Sequence, residues 1–189
     1  MKSLLAFVLC CAVAIGTMPL TACNSATALA DVQKFEPVVI NALVLACAIQ
    51  SGLPICGAMQ TTITNDYNLV VQLWTDWNAA VKAGTATSAL WNDLNAAFTV
   101  FEEDSSAIFA AAVGLNAPEL TAIVAAAQVL LSVIESLFPS APAGVLKSSP
   151  SKFSKYRVSN FNLKSWRKDY DNKVGVAQKL HPNVRLARV

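Results

Sequence analysis

Apolar positions along this chain recur at helical spacing in four long segments. In the first, about Ala30 to Gln50, Phe35, Val38, Val39, Ala42, Leu43, Ala46 and Cys47 fall on one face. Pro37 is tolerated best in a first turn, which moves the expected start towards Phe35. The centre of this segment is apolar nearly all round, the pattern of a helix sunk in a core. The second, about Ala58 to Ala83, carries the stripe Ile63, Tyr67, Val70, Val71, Trp74, Trp77 and Val81 and stops at Gly84, a residue free to adopt positive φ. The third, about Ser88 to Val113, places Trp91, Leu94, Phe98, Phe101, Ile108, Phe109 and Ala112 in phase before Gly114. The fourth opens on Asn116-Ala117-Pro118-Glu119, which predicts a capping box with Pro in the first turn. Its stripe is Leu120, Ile123, Val124, Ala127, Leu130, Leu131, Ile134 and Leu137, ending at Pro139.

Helices of this length joined by short loops pack as antiparallel neighbours. The expected fold is therefore all-α: an up-and-down four-helix bundle over residues 31–138. No apolar/polar alternation bounded by turns predicts a strand, and no internal repeat is present. Residues 139–151 are rich in Pro, Ser, Ala and Gly and read as a linker. Residues 139–189 as a whole form a linker and basic C-terminal tail. Within it Leu163, Trp166, Tyr170, Val174 and Ala177 predict a short fifth helix over Leu163–Leu180, weakened by Gly175.

The amino terminus has a different pattern. Lys2 precedes a charge-free apolar run over residues 4–15, broken by Gly16 and Pro19 and followed at once by Leu20-Thr21-Ala22-Cys23. This is the layout of a secretory signal, and the run is shorter than the about 20 apolar residues of a membrane span. The Leu-Thr-Ala-Cys tetrapeptide resembles the lipobox of bacterial lipoproteins, and the resemblance is confined to residues 1–23. It implies removal of residues 1–22, acyl lipid such as palmitate on Cys23, and a tether over residues 23–30. A competing cleavage pattern, Ala28-Leu29-Ala30 before Asp31, lies much further from the apolar run. Asn24 stands where an aspartate tends to retain lipoproteins at the inner membrane, so the resemblance implies the outer membrane, facing the periplasm, in a host with two membranes.

Composition refines this picture in two places. The 54% hydrophobic content and mean hydropathy of +0.47 include the signal segment, so they overstate the greasiness of the mature chain. Of five cysteines, Cys10 and Cys11 leave with the signal and Cys23 takes lipid, which leaves Cys47 and Cys56. They flank the turn-forming Ser51-Gly52-Leu53-Pro54, where a disulfide in an oxidising compartment would add about 2–3 kcal/mol by loop closure. The alternative is a pair of buried free thiols.

Charge is divided unevenly. Between Cys23 and Leu146 the only bases are Lys34 and Lys82 against ten acids, whereas residues 147–189 carry eleven bases against Asp169 and Asp171. Three readings follow. The tail docks on its own acidic bundle through Phe153, Tyr156, Phe161, Trp166 and Tyr170. Or it meets an outside partner (anionic lipid, a wall polymer or a protein) through Lys152, Lys155, Arg157, Lys164, Arg167 and Lys168. Nucleic acid, the third, is a poor match for an exported, anchored chain.

Catalytic chemistry finds little foothold. His181, the only histidine, precedes Pro182 in a polar stretch and is expected to be solvated, so no histidine-based metal site is predicted. Glu102-Glu103-Asp104 read as a solvated face, or as the landing place of the tail. No serine elbow or glycine-rich phosphate loop is present, and Trp74, Trp77 and Trp91 belong to core stripes. The sequence thus predicts a non-enzymatic, membrane-anchored envelope lipoprotein with a structural or binding role and no cofactor or metal. The competing expectation is a carrier of lipid or another apolar small molecule in the bundle core.

Overall fold

A computed structural model describes residues 29–50, 56–139, 141, 156 and 160–189. Among them are five α-helices and no strand: α1 (Phe35–Ile49), α2 (Cys56–Ala83), α3 (Ser88–Val113), α4 (Pro118–Leu137) and α5 (Leu163–Leu180). The all-α bundle expected from the stripes is the fold observed. The apolar run before α1 is broken at Gln33-Lys34, so that a short helical turn at residues 29–32 precedes Phe35, and Pro37 sits in the first turn.

α1 is the central element. It packs against α2, α3 and α4, while α2 and α3 make the most extensive helix pair. Two aromatic groups fill the interior. Trp74, Phe98 and Phe138 meet at centroid distances of 4.6–6.3 Å, and Phe35 stands edge-on to Phe101 at 5.0 Å. Buried indoles need an acceptor. The Trp91 Nε1–H donates to the Pro139 carbonyl (3.3 Å), tying the end of α4 to α3.

Two helix ends differ from the sequence expectation. Gly84 has φ +70 and terminates α2 as predicted, but Gly114 remains right-handed at φ −65 and the left-handed residue in that connection is Asn116, φ 48. Because Asn116 takes the turn conformation, Ala117 becomes the N-cap of α4 with no side-chain cap, and the expected capping box is absent. Glu119 is engaged elsewhere, as described below.

α5 is inside the fold. Trp166, Tyr170, Val174 and Ala177 on one face, and Leu186 beyond it, belong to the same buried cluster as the other four helices. The helix lies chiefly against α4, and its Trp166 Nε1–H donates to the Ala126 carbonyl at 3.0 Å. Trp166 also stacks on Tyr170 one turn later, centroids 5.3 Å apart. Tyr156 and Phe161 pack partly buried against this core; Phe153 lies outside the described residues.

Candidate functional site

The predicted site residues fall into three groups. Cys23, Lys152, Lys155 and Arg157 lie outside the described residues. Cys47 and Cys56 are joined by a disulfide with Cα atoms 6.3 Å apart, linking the end of α1 to the first residue of α2. Lys164, Arg167 and Lys168 stand in the first two turns of α5, but not alike. Lys164 and Lys168 are exposed, whereas Arg167 is half-buried with its Nε shielded and without a hydrogen-bond partner.

The geometry of α5 explains the difference. At about 100° per residue, Lys164 and Lys168 project opposite the buried face made by Trp166 and Tyr170, while Arg167 is turned to one edge. Lys179 projects with the two lysines, and Arg185 and Arg188 in the C-terminal extension are exposed as well. None of Lys164, Lys168, Lys179, Arg185 or Arg188 forms an ion pair with another described residue. The two acids of this region are turned to partners of their own: Asp169 pairs with Lys173, and Asp171 Oδ1 accepts from the Val189 N–H at 3.1 Å. Two open clefts border α5. One of about 740 Å³ is lined by Asn172, Gly175, Gln178, Lys179 and Arg188, among others; the second, about 360 Å³ and almost wholly apolar, lies between α5 and α4.

What holds this segment in place is a set of contacts that sequence reasoning missed. Asn41, in the middle of α1, is 2% exposed. Its Nδ2 donates to the Tyr170 hydroxyl (2.7 Å) and to the Ala187 carbonyl (2.6 Å), and its Oδ1 accepts from the Ala187 N–H (2.8 Å). The amide thus binds the C-terminal backbone much as a neighbouring strand would. Burial holds the Tyr170 hydroxyl protonated well above the usual phenol range. At the far end of α5, His181 is half-buried and its Nε2 lies 2.9 Å from Glu119 Oε1, which corrects the expectation of a solvated ring. That hydrogen bond, together with one from the backbone, lowers the Glu119 carboxyl below its ordinary value.

The acidic run on α3 also departs from expectation. Glu102 is 8% exposed rather than solvated, and α5 packs on α4, not there. Asp104 instead meets Asp66 of α2 across the α2–α3 seam; burial first, then the neighbouring Asp104 carboxyl, raises Asp66 to about 6. Asp104 also lines a cleft of about 300 Å³ whose other walls are Ala58, Met59, Thr62, Ile63, Ala107 and Ile108. No group of three or more His, Cys, Asp or Glu able to hold a metal ion occurs among the described residues.

Compared with known proteins, the chain matches no family model, no curated protein and no solved structure.

Two helices, Leu29–Ile49 including its preceding turn and Pro118–Leu137, are long and apolar enough to cross a membrane by length and composition. Each contributes an apolar face to the bundle core, the use to which a soluble fold also puts such helices.

Proposed function

We propose that this protein is an envelope lipoprotein, held on a membrane by lipid on Cys23, whose bundle serves a structural or binding role without catalysis. The observation that carries this reading is Leu20-Thr21-Ala22-Cys23 placed directly behind a charge-free apolar run. Cleavage there removes the apolar run of residues 4–15 and leaves Cys23 to carry the lipid, where two or more acyl chains hold firmly and one does not. From Cys23 to Leu29 the chain can reach at most about 20 Å, so the bundle stays close to the surface it is anchored to. Asn24 favours the outer membrane in a host that has two.

A binding role agrees with the side chains at hand. Asp104, which meets Asp66, borders an otherwise mostly apolar cleft whose only other polar side chain is Thr62, with no histidine or cation among its lining residues to activate that hydroxyl. The carrier alternative draws less support, since the centre of the bundle is occupied by Trp74, Trp91, Phe35, Phe101 and Tyr170, each under 2% exposed.

The direct test is the intact mass of protein extracted from its native membrane. A chain beginning at Cys23 with acyl additions is expected; an unmodified chain with a free Asp31 amino group would overturn the proposal. Stoichiometric lipid extracted from a non-acylated Cys23→Ser form would shift the role from structural component to carrier.

A further inference from the structure

The described part of the cationic C-terminal segment is folded in, yet five of its charges are not used up by the fold. α5 spends its apolar face on α4 and α1 and turns Lys164, Lys168 and Lys179 away from them, with Arg185 and Arg188 exposed in the extension that follows. Intramolecular neutralisation, the simplest reason for a basic tail beside an acidic bundle, is therefore not what these five side chains do. Of the two acids nearby, Asp169 is taken by Lys173; Asp171 accepts a backbone N–H and lines the larger cleft with Lys179 and Arg188 without an ion pair to either, one carboxylate beside five cations.

A second feature adjoins the first. Val176 and Leu180 are 54% and 61% exposed, among the most exposed large apolar side chains of the described residues. They lie beside the lysine strip on the edge of α5 nearer α4, where with Pro118 and Ala122 they wall the apolar cleft of about 360 Å³. Exposed apolar side chains bordered by cations are the pattern of a surface that sits at a lipid headgroup boundary. Lysines reach phosphates while their stems lie along apolar ground. A soluble polyanion would engage the charges but has no use for Val176, Leu180 or the apolar cleft.

We propose that the outer face of α5 and the C-terminal extension rest on an anionic phospholipid surface. Lys164, Lys168, Lys179, Arg185 and Arg188 would meet headgroup phosphates, and Val176 and Leu180 would meet the acyl boundary beside the cleft. The proposal deepens the envelope reading above, in that the membrane holding Cys23 supplies the surface, and it gives the bundle a preferred side. Each Lys or Arg held near an anionic membrane contributes about fivefold to partitioning.

The test uses the chain from residue 23 onward carrying Cys23→Ser. All described structure lies within it, and it has no acyl group, so its result is independent of whether the native protein is lipidated. It is floated with phosphatidylcholine vesicles, with or without phosphatidylglycerol. We expect flotation only with phosphatidylglycerol, weakening as salt rises. Replacing three exposed lysines (Lys164→Gln, Lys168→Gln, Lys179→Gln) is expected to reduce partitioning by on the order of a hundredfold, with the helical circular dichroism unchanged. Val176→Asn with Leu180→Asn is expected to weaken flotation while leaving any affinity for soluble polyphosphate unaltered. Absence of flotation with either vesicle overturns the proposal. So does flotation insensitive to the lysine substitutions. Polyphosphate binding as strong as vesicle binding, with flotation indifferent to the Val176 and Leu180 changes, reassigns the face to a soluble polyanion.

Discussion

Single side chains decide how the end of the chain is held. Asn41 satisfies the Tyr170 hydroxyl and both backbone groups of Ala187 from the centre of an apolar helix. An Asn41→Leu substitution removes all three bonds and leaves the buried Tyr170 hydroxyl without this partner, at an expected cost of about 1–3 kcal/mol. Tyr170→Phe, which leaves the Ala187 bonds intact, should cost about 1 kcal/mol; urea unfolding of both variants measures the difference. Asp66 gives a prediction with a sign. Its ordinary value is 3.8 and the folded value about 6, so between them the folded chain retains a proton that the unfolded chain has lost. Its contribution to stability therefore falls as pH rises through that window and stays low above it. Asp66→Asn should remove this slope and raise the melting temperature above about pH 6 relative to the parent protein, whereas an unchanged profile would show that the carboxyl is not held in the seam. Neither residue was legible as special in the sequence. Asn41 bonds partners 129 and 146 positions away, and Asp66 is raised by burial and by a carboxylate on another helix. Periodicity carries information about neighbours three and four residues apart and none about these.

At the scale of elements, the helices were legible because each carries its own stripe, and their stops were legible only where one residue dominates. Gly84 at φ +70 has nothing within 4 Å of a would-be Cβ, so Gly84→Ala should cost about 1 kcal/mol through backbone conformation alone. Gly114 is right-handed, and Gly114→Ala should be neutral or slightly stabilising, since its left-handed duty has passed to Asn116. Thermal melts of the pair check the contrast directly. The α4 capping box failed as an expectation because two demands met on Asn116: it cannot adopt the left-handed turn and also sit extended as an N-cap. The disulfide was legible from two cysteines around a turn, with the free-thiol alternative left open by sequence. Cys47→Ala with Cys56→Ala should lower stability by about 2–3 kcal/mol through the nine-residue closure, read as a reductant-insensitive loss in the denaturation midpoint.

For the whole molecule, the division of charge marks two parts of the sequence but not two parts of the fold. The acidic segment supplies α1–α4, and the basic segment supplies a fifth helix that completes the same core. The stripe of α5 was visible in the sequence, and docking on the bundle through Trp166 and Tyr170 was one of three readings that the charge division left open. What places it within the core is the Trp166 bond to α4, the Asn41 clasp on α1 and the His181–Glu119 contact, all of them non-local. The candidate surface was half legible for the same reason. Lys164 and Lys168 were indicated by charge, but only the orientation of α5 separates them from Arg167 and adds Lys179, Arg185 and Arg188. One cationic face is fixed outward only if α5 is integral to the bundle. Native-state hydrogen exchange measures this residue by residue. The amides of Tyr170, Val174 and Ala177 should exchange with the same opening free energy as those of Val39 in α1 and Leu130 in α4. Exchange of the α5 amides at rates near those of an unfolded chain, while α1 and α4 remain protected, would contradict it.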